Sequence, residues 1–313
     1  MSKKRNGQCN GNSNYEFVIQ PGQRFTLIVS LFQKLQLNNF RIMKKYLLII
    51  ALVFLTARVS AGDWTGFRGP HGNGVSDEVG LPVNLDIEKH IAWKVALPGK
   101  GLSSPLVVGD RVFVTVSGGT RQDRLQIICL SSIDGSVIWH RQFWAMGSTM
   151  CHSKTSIAAP TPVTDGVSLF AIFSSNDIFC LDLNGNLKWL RGLTVDYPNA
   201  RNSLGMASSL VLANDVLVAQ VENDSESFVV GLNKGSGSNL WKINRPKSAN
   251  WTTATVNKSK FGKDQVFLQS GEGIHAVDPE NGNMVWHYSD GASTIPSSVL
   301  KGNMLYVPSQ GLT

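Results

Sequence analysis

The chain has 313 residues, 42% hydrophobic and 16% charged, which supplies one large core or two ordinary ones and excludes a disordered polymer. Its formal charge of +7 is concentrated at one end: residues 1–61 carry nine Lys/Arg against the single acid Glu16, so 62–313 stand at −1. The body therefore lacks the concentrated basic face that phosphate-driven binding needs, and nucleic acid is excluded as a partner.

In chain order, residues 1–42 read as an over-long N-terminal extension, with Met43 as the expected start. "MKKYLLIIALVFLTARVSAGDW" (43–64) has a Lys-Lys n-region, an apolar run from Tyr46 to Leu55 and small residues at Val59-Ser60-Ala61. It reads as a signal peptide over 43–61, cleaved after Ala61, which exports the protein to the periplasm or beyond. Ten apolar residues are half of the ~20 that span a bilayer, and no cysteine follows the cleavage point, so no stable membrane anchor is expected after processing. Residues 62–92 form a lead-in segment. Its "GPHGNG" (69–74) lacks the preceding strand and following helix of a phosphate cradle, so Arg68 and His71 read as structural tethers.

From residue 93 onward the sequence is periodic. "DGSVIW" (134–139) returns as "NGNLKW" (184–189), "SGSNLW" (236–241) and "NGNMVW" (281–286). Trp93, Trp139, Trp189, Trp241 and Trp286 are 46, 50, 52 and 45 residues apart, the period of a repeat architecture. Each unit parses into four short strands: small residues then an apolar run ("SSPLVVGD" 103–110), an alternating second strand ("RVFVTVSG"), a pre-turn third strand ("IICLSS") and a fourth with the tryptophan. Four antiparallel strands repeated radially predict an all-β fold, a β-propeller. Full blades are expected at about 103–142, 157–192, 206–244 and 251–288, followed by the first half of a fifth.

Gly135, Gly185, Gly237 and Gly282 are predicted to take positive φ where the third strand reverses into the fourth. The indoles are predicted to fill the wedge between neighbouring blades. The third-strand position facing each indole must then be small, and it is Cys129, Cys180, Gly231 or Ala276, so these cysteines read as core residues. Trp93, in "IAWKVAL", reads as an outermost strand with no inner three before it. Metal-ligand spacing is absent: the six histidines form no cluster, and "DLNGNLKW" (182–189) lacks the glycine and closing glutamate of a calcium loop.

The pattern apolar-x-small-apolar-Asp/Asn-x-x-x-Gly-x-x-x-Trp resembles the repeat of pyrroloquinoline-quinone (PQQ)-type propellers, a family that includes quinoprotein dehydrogenases and the periplasmic scaffold of the outer-membrane barrel assembly machinery. "DWTGFRGPHGNGVSDEVGLP" (63–82) is similar to the start of exported bacterial propellers of this type without a dehydrogenase site. The resemblance implies eight blades, so the chain is expected to be an arc that is incomplete at its C-terminus. It also implies that a quinone would stack on a vicinal Cys-Cys disulfide beside calcium. The sequence has no Cys-Cys pair, so neither PQQ nor calcium is expected.

Function in such a ring is expected where one blade's outer strand connects to the next blade's inner strand. Those connectors, 145–156, 196–206, 245–251 and 289–294, carry His152, Lys154, Asn199, Arg201, Asn202, Lys247, Asn250 and Trp251. This polar set with one aromatic suits a protein, peptide or carbohydrate ligand; the same side chains also suit solvated, capped loops. The expected function is an exported, non-catalytic binding or scaffolding module of the bacterial envelope. The alternatives are a quinoprotein-type or polysaccharide-acting enzyme whose key residues lie elsewhere, and a sensor ectodomain.

Overall fold

Alternating and β-branched runs punctuated by Gly, Asn and Asp turns fold into sheets and almost nothing else. The computed structural model describes residues 62–84, 86–201, 203–259 and 263–309. The expected over-long extension, the signal peptide over 43–61, and Asn202 lie outside the described residues. Four four-stranded antiparallel sheets follow one another in sequence. Blade 1 contains β1 (Leu106–Val108), β2 (Arg111–Gly118), β3 (Arg124–Ser131) and β4 (Val137–Trp144). Blade 2 contains β5 (Val163–Thr164), β6 (Ser168–Ile172), β7 (Asp177–Asp182) and β8 (Leu187–Gly192). Blade 3 is β9 (Val211–Ala213), β10 (Val216–Val221), β11 (Phe228–Asn233) and β12 (Asn239–Asn244); blade 4 is β13 (Thr255–Asn257), β14 (Gln265–Ser270), β15 (Gly273–Val277) and β16 (Met284–Tyr288). A two-stranded hairpin, β17 (Val299–Lys301) and β18 (Met304–Tyr306), comes last. Among the described residues the helices are single turns, α1 (Ile87–His90) and α2 (Leu193–Asp196). This is a β-propeller architecture with about four blades. β5 is short because Pro160 and Pro162 supply no N–H to a ladder.

The hydrophobic core lies between blades. One cluster joins Phe113, Ile127 and Trp139 of blade 1 to Leu169, Phe179 and Leu181 of blade 2. A second joins Phe170 and Ile178 to Leu217, Phe228 and Val230 across blades 2 and 3, and a third joins blade 3 to blade 4 around Trp241. The middle strands are accordingly buried on both faces, as in β10 and β11. Fourth strands alternate instead: in β4 and β12 the tryptophan is the fully buried position among exposed neighbours.

The repeated turn is a joint as well as a reversal. A register shift after Cys129, Cys180, Gly231 and Ala276 leaves each of these small residues paired directly with Trp139, Trp189, Trp241 and Trp286. Gly135, Gly185, Gly237 and Gly282 have φ of +73°, +81°, +73° and +73°. Each of these glycines seats the indole of the preceding unit: a β-carbon would lie 2.6 Å from Trp93, 2.7 Å from Trp139, 2.7 Å from Trp189 and 2.8 Å from Trp241. The same indoles donate Nε1–H to carbonyls of that turn, Ser132, Leu183, Lys234 and Pro279, at 2.7–2.9 Å. Trp286 differs. It is 38% exposed, and its Nε1–H goes to Gln265 Oε1 of its own blade.

Trp93 reaches the seat of blade 1 without being in a strand: residues 91–97 form none. The expectation of an outermost strand there is corrected, because among the described residues no third strand lies beside it to supply ladder bonds. Near the axis a second belt links the blades. The N–H groups of Ser104, Thr161, Ser209 and Thr253 donate to the hydroxyls of Thr161, Ser209, Thr253 and Ser297, one blade further on, at 2.9–3.0 Å. The lead-in segment crosses this inner surface. Trp64 pairs with Val107, Thr164 N–H donates to Thr65 O, and Arg68 Nη1 donates to the carbonyls of Ser297 and Ser298.

Candidate functional site at the connector end

Strand direction sorts the loops. The first strand of each blade runs away from the connectors, so connectors and second-to-third-strand turns share one end, and the glycine turns share the other. At the connector end the four connectors are bonded to one another. His152 N–H donates to Leu204 O, Trp251 Nε1–H to Gly205 O, and Trp251 N–H to Thr294 O. They form one continuous surface.

On that surface His152, Lys154, Asn199, Arg201 and Lys247 are exposed. His152 Nδ1 accepts from the Lys154 N–H, which caps its own loop. Two of the expected residues face inward. Trp251 is half-buried between connectors, and Asn250 is 1% exposed. The Asn250 amide donates to Glu222 Oε2 at 2.8 Å and to Gln269 O at 2.6 Å, so it braces the site instead of offering itself to a ligand.

Beneath Asn250 lies a charged pair that sequence reading missed. Glu222, at the end of β10, and Arg245, just after β12, meet at 2.6 Å with both side chains essentially inaccessible. Arg245 also donates Nη1–H to His275 Nδ1 at 2.7 Å and Nη2–H to Leu268 O, so the pair ties blade 3 to blade 4. Burial raises the Glu222 pKa against the opposing pull of Arg245. Burial, and then the Arg245 charge, lower the pKa of His275. Gln220 donates to Gln269 O, and Gln269 in turn donates to the carbonyls of Ser293 and Pro296. The signal for this network was present: "VLVAQV" and "QVFLQS" place a glutamine late in the second strand of consecutive blades.

Over this floor opens a cleft of about 350 Å³ lined by Glu222, Lys247, Asn250, Ser270, Glu272 and Thr294, among others. With Glu222 and Asn250 engaged and the Ser270 hydroxyl accepting from the Glu272 N–H, the groups facing a ligand are the Lys247 ammonium, the Glu272 carboxylate and the Thr294 hydroxyl. They present donors and acceptors of both signs around an open mouth, suited to a polar chain and not to a single ion.

A family model described as outer membrane protein assembly factor BamB matches residues 75–219 and 200–303. The chain belongs to the BamB-type family of PQQ-like repeat propellers. BamB from Moraxella catarrhalis is 18% identical over 69% of this chain and 72% of its own, with a TM-score of 0.43. Two quinohemoprotein alcohol dehydrogenases share the fold. That of Comamonas testosteroni gives a TM-score of 0.55 at 12% identity over 79% of this chain, and ADHIIG of Pseudomonas putida HK5 gives 0.54 at 13% over 74%. The chain spans 45% and 40% of those two enzymes. A comparison with curated proteins gives no match.

The quinone arrangement that the resemblance implies calls for a vicinal Cys-Cys pair, which the sequence lacks. Cys129 and Cys180 are buried beneath the indoles, with burial pushing each thiol up to about 11, and Cys151 is adjacent to neither. Among the described residues no three His, Cys, Asp or Glu stand together as metal ligands.

Proposed function

We infer that this BamB-type propeller is a non-catalytic binding module of the bacterial envelope that holds a polypeptide segment of a partner protein along its connector end. The observation that carries this reading is the bonding of four successive connectors into one surface, with His152, Lys154, Asn199, Arg201 and Lys247 outward and the ionisable groups beneath engaged with one another. A rigid polar rim with a mixed-charge cleft recognises a chain by alternating hydrogen bonds and charge contacts, and performs no proton transfer of its own. Family membership supports the reading, since the family's description is that of an outer-membrane assembly factor. In this reading the segment at 43–61 is a signal peptide and the module works in the periplasm or outside the cell.

The test uses the full chain in its bacterial envelope with a photo-cross-linker in place of Ser248, beside the cleft. One envelope protein is expected to cross-link, and the charge-reversed variant K154E/R201E/K247E, unchanged in melting temperature, is expected to lose that cross-link. A cross-link indifferent to the reversal would overturn the reading. So would dye reduction by the purified chain on addition of PQQ and calcium, which would favour the quinoprotein alternative.

A further inference from the structure

At the opposite end of the axis, away from the connectors, a groove of about 470 Å³ lies between the lead-in segment and the inner strands of blades 2 to 4 and the last hairpin. Three cations line it, Arg68, Lys258 and Lys301, and among the described residues no Asp or Glu does. That is a local departure from residues 62–313 as a whole, which carry one more acid than base. Among the described residues none of the three cations has an ion-pair partner. Arg68 is half-buried, and desolvation lowers its pKa. Its Nη1 is fixed by the carbonyls of Ser297 and Ser298, and among the described residues Nε and Nη2 have no hydrogen-bond acceptor. Its φ of +60° is rare for a residue with a β-carbon, so the surrounding contacts hold it there at a cost.

Backbone donors add to the charge. In β1 the two-residue turn after Val108 leaves Val107 facing the axis, where its N–H and C=O pair with Trp64. The same two-residue turns follow Ala213 in β9 and Lys301 in β17. Their register therefore turns the N–H groups of Leu212 and Leu300 toward the groove, where no described carbonyl accepts from them. The walls between these donors carry an apolar part, Phe67, Val163 and Val211, among threonines and serines.

We propose that this axial groove binds a small organic oxyanion, a carboxylate or phosphate on an apolar body, with Arg68, Lys258, Lys301 and the inner-strand N–H groups on the anion and Phe67 and Val163 on the body. Cationic and peptide donors without a counter-charge form an anion site, and a cavity of this size with both polar and apolar walls accepts a small molecule. The assignment is independent of the partner surface at the other end.

The test is calorimetric titration of the full chain at constant chloride ionic strength with benzoate, phenyl phosphate and the neutral analogue benzamide. One or both anions are expected to bind one to one, benzamide is expected not to bind, and the pair that binds identifies the head group. Lys258 and Lys301 are exposed and their side chains make no hydrogen bond or ion pair among the described residues, so K258Q/K301Q is expected to keep its melting temperature while affinity falls roughly tenfold, the scale of lost charge-assisted contacts. Failure of both anions to bind, benzamide binding as well as they do, or undiminished binding by the double variant would overturn the proposal.

Discussion

At the scale of single residues, a glycine such as Gly185 meets two demands that are easily confused. Its φ of +81° puts it in the left-handed region, and its missing β-carbon gives room to Trp139 at 2.7 Å. Gly166 separates the two. It has φ of +83° in a turn of the same blade, with nothing within 4 Å of where a β-carbon would stand. Gly166→Ala is therefore expected to cost about 1 kcal/mol, the backbone term alone. Gly185→Ala adds the displacement of a buried indole and of its bond to Leu183 O, for a total of about 2–4 kcal/mol. Urea denaturation of the two variants measures the difference. Equal losses would mean that the glycine serves the turn only and that the indole is not seated on it. The sequence revealed the turn demand, because Asn-Gly and Asp-Gly pairs carry it locally. The packing demand is set by a tryptophan of another blade, 46 residues upstream of the glycine, and no local pattern reports it.

At the scale of the element, the third-to-fourth-strand turn follows one plan four times with different side chains, the turn of blade 2 being one residue shorter than the others. Ser131, Asp182, Asn233 and Asp278 occupy one position, and each side chain accepts a backbone N–H two residues on. Asn233 does this without a charge. The Asn186 side chain and then its N–H hold the Asp182 carboxyl below its usual pKa. A pKa lower in the fold than the unfolded value of about 3.9 contributes stability present above that pH and lost as pH falls through the folded value. Asp182→Asn is thus expected to fold as blade 3 does at neutral pH and to lose less stability than the parent between about pH 5 and pH 2. Acid titration followed by circular dichroism checks this, and identical acid profiles would sink it. Strands and turns of this kind were legible because alternation and turn chemistry are local. The connectors were not, since they have no period: Asn250 and Lys247 read alike in "RPKSANW", and only Glu222 of another strand, 28 residues away, decides that Asn250 turns inward. Trp93 shows the reverse failure, a strand-like sequence left without a ladder.

At the scale of the whole molecule, the blades are joined by indoles near the glycine turns, by hydroxyls near the axis, and between blades 3 and 4 by Arg245, which its blade-3 partner Glu222 holds against His275 and Leu268 O. The first two joints are apolar or neutral and indifferent to pH; the third is not. Removing Arg245 leaves a buried carboxylate without its counter-charge, so Arg245→Met is expected to cost about 3–5 kcal/mol at neutral pH, whereas E222Q/R245M, which removes both charges, is expected to recover a good part of that. The pH dependence follows from the direction of the Glu222 shift. Burial already raises its folded pKa with Arg245 present, and loss of the guanidinium removes the opposing pull. A raised folded pKa gives a contribution fully present below the unfolded value of about 4.3 and lost as pH rises through the folded one. The deficit of Arg245→Met relative to the parent is therefore expected to be largest at pH 8 and to narrow toward pH 5, while that of E222Q/R245M, which has no carboxyl at 222 to titrate, is expected not to widen toward pH 8. Denaturation midpoints for the three proteins at both pH values decide the matter. A deficit of Arg245→Met that does not change with pH would mean that Glu222 is reached by water and that its charge does not depend on Arg245.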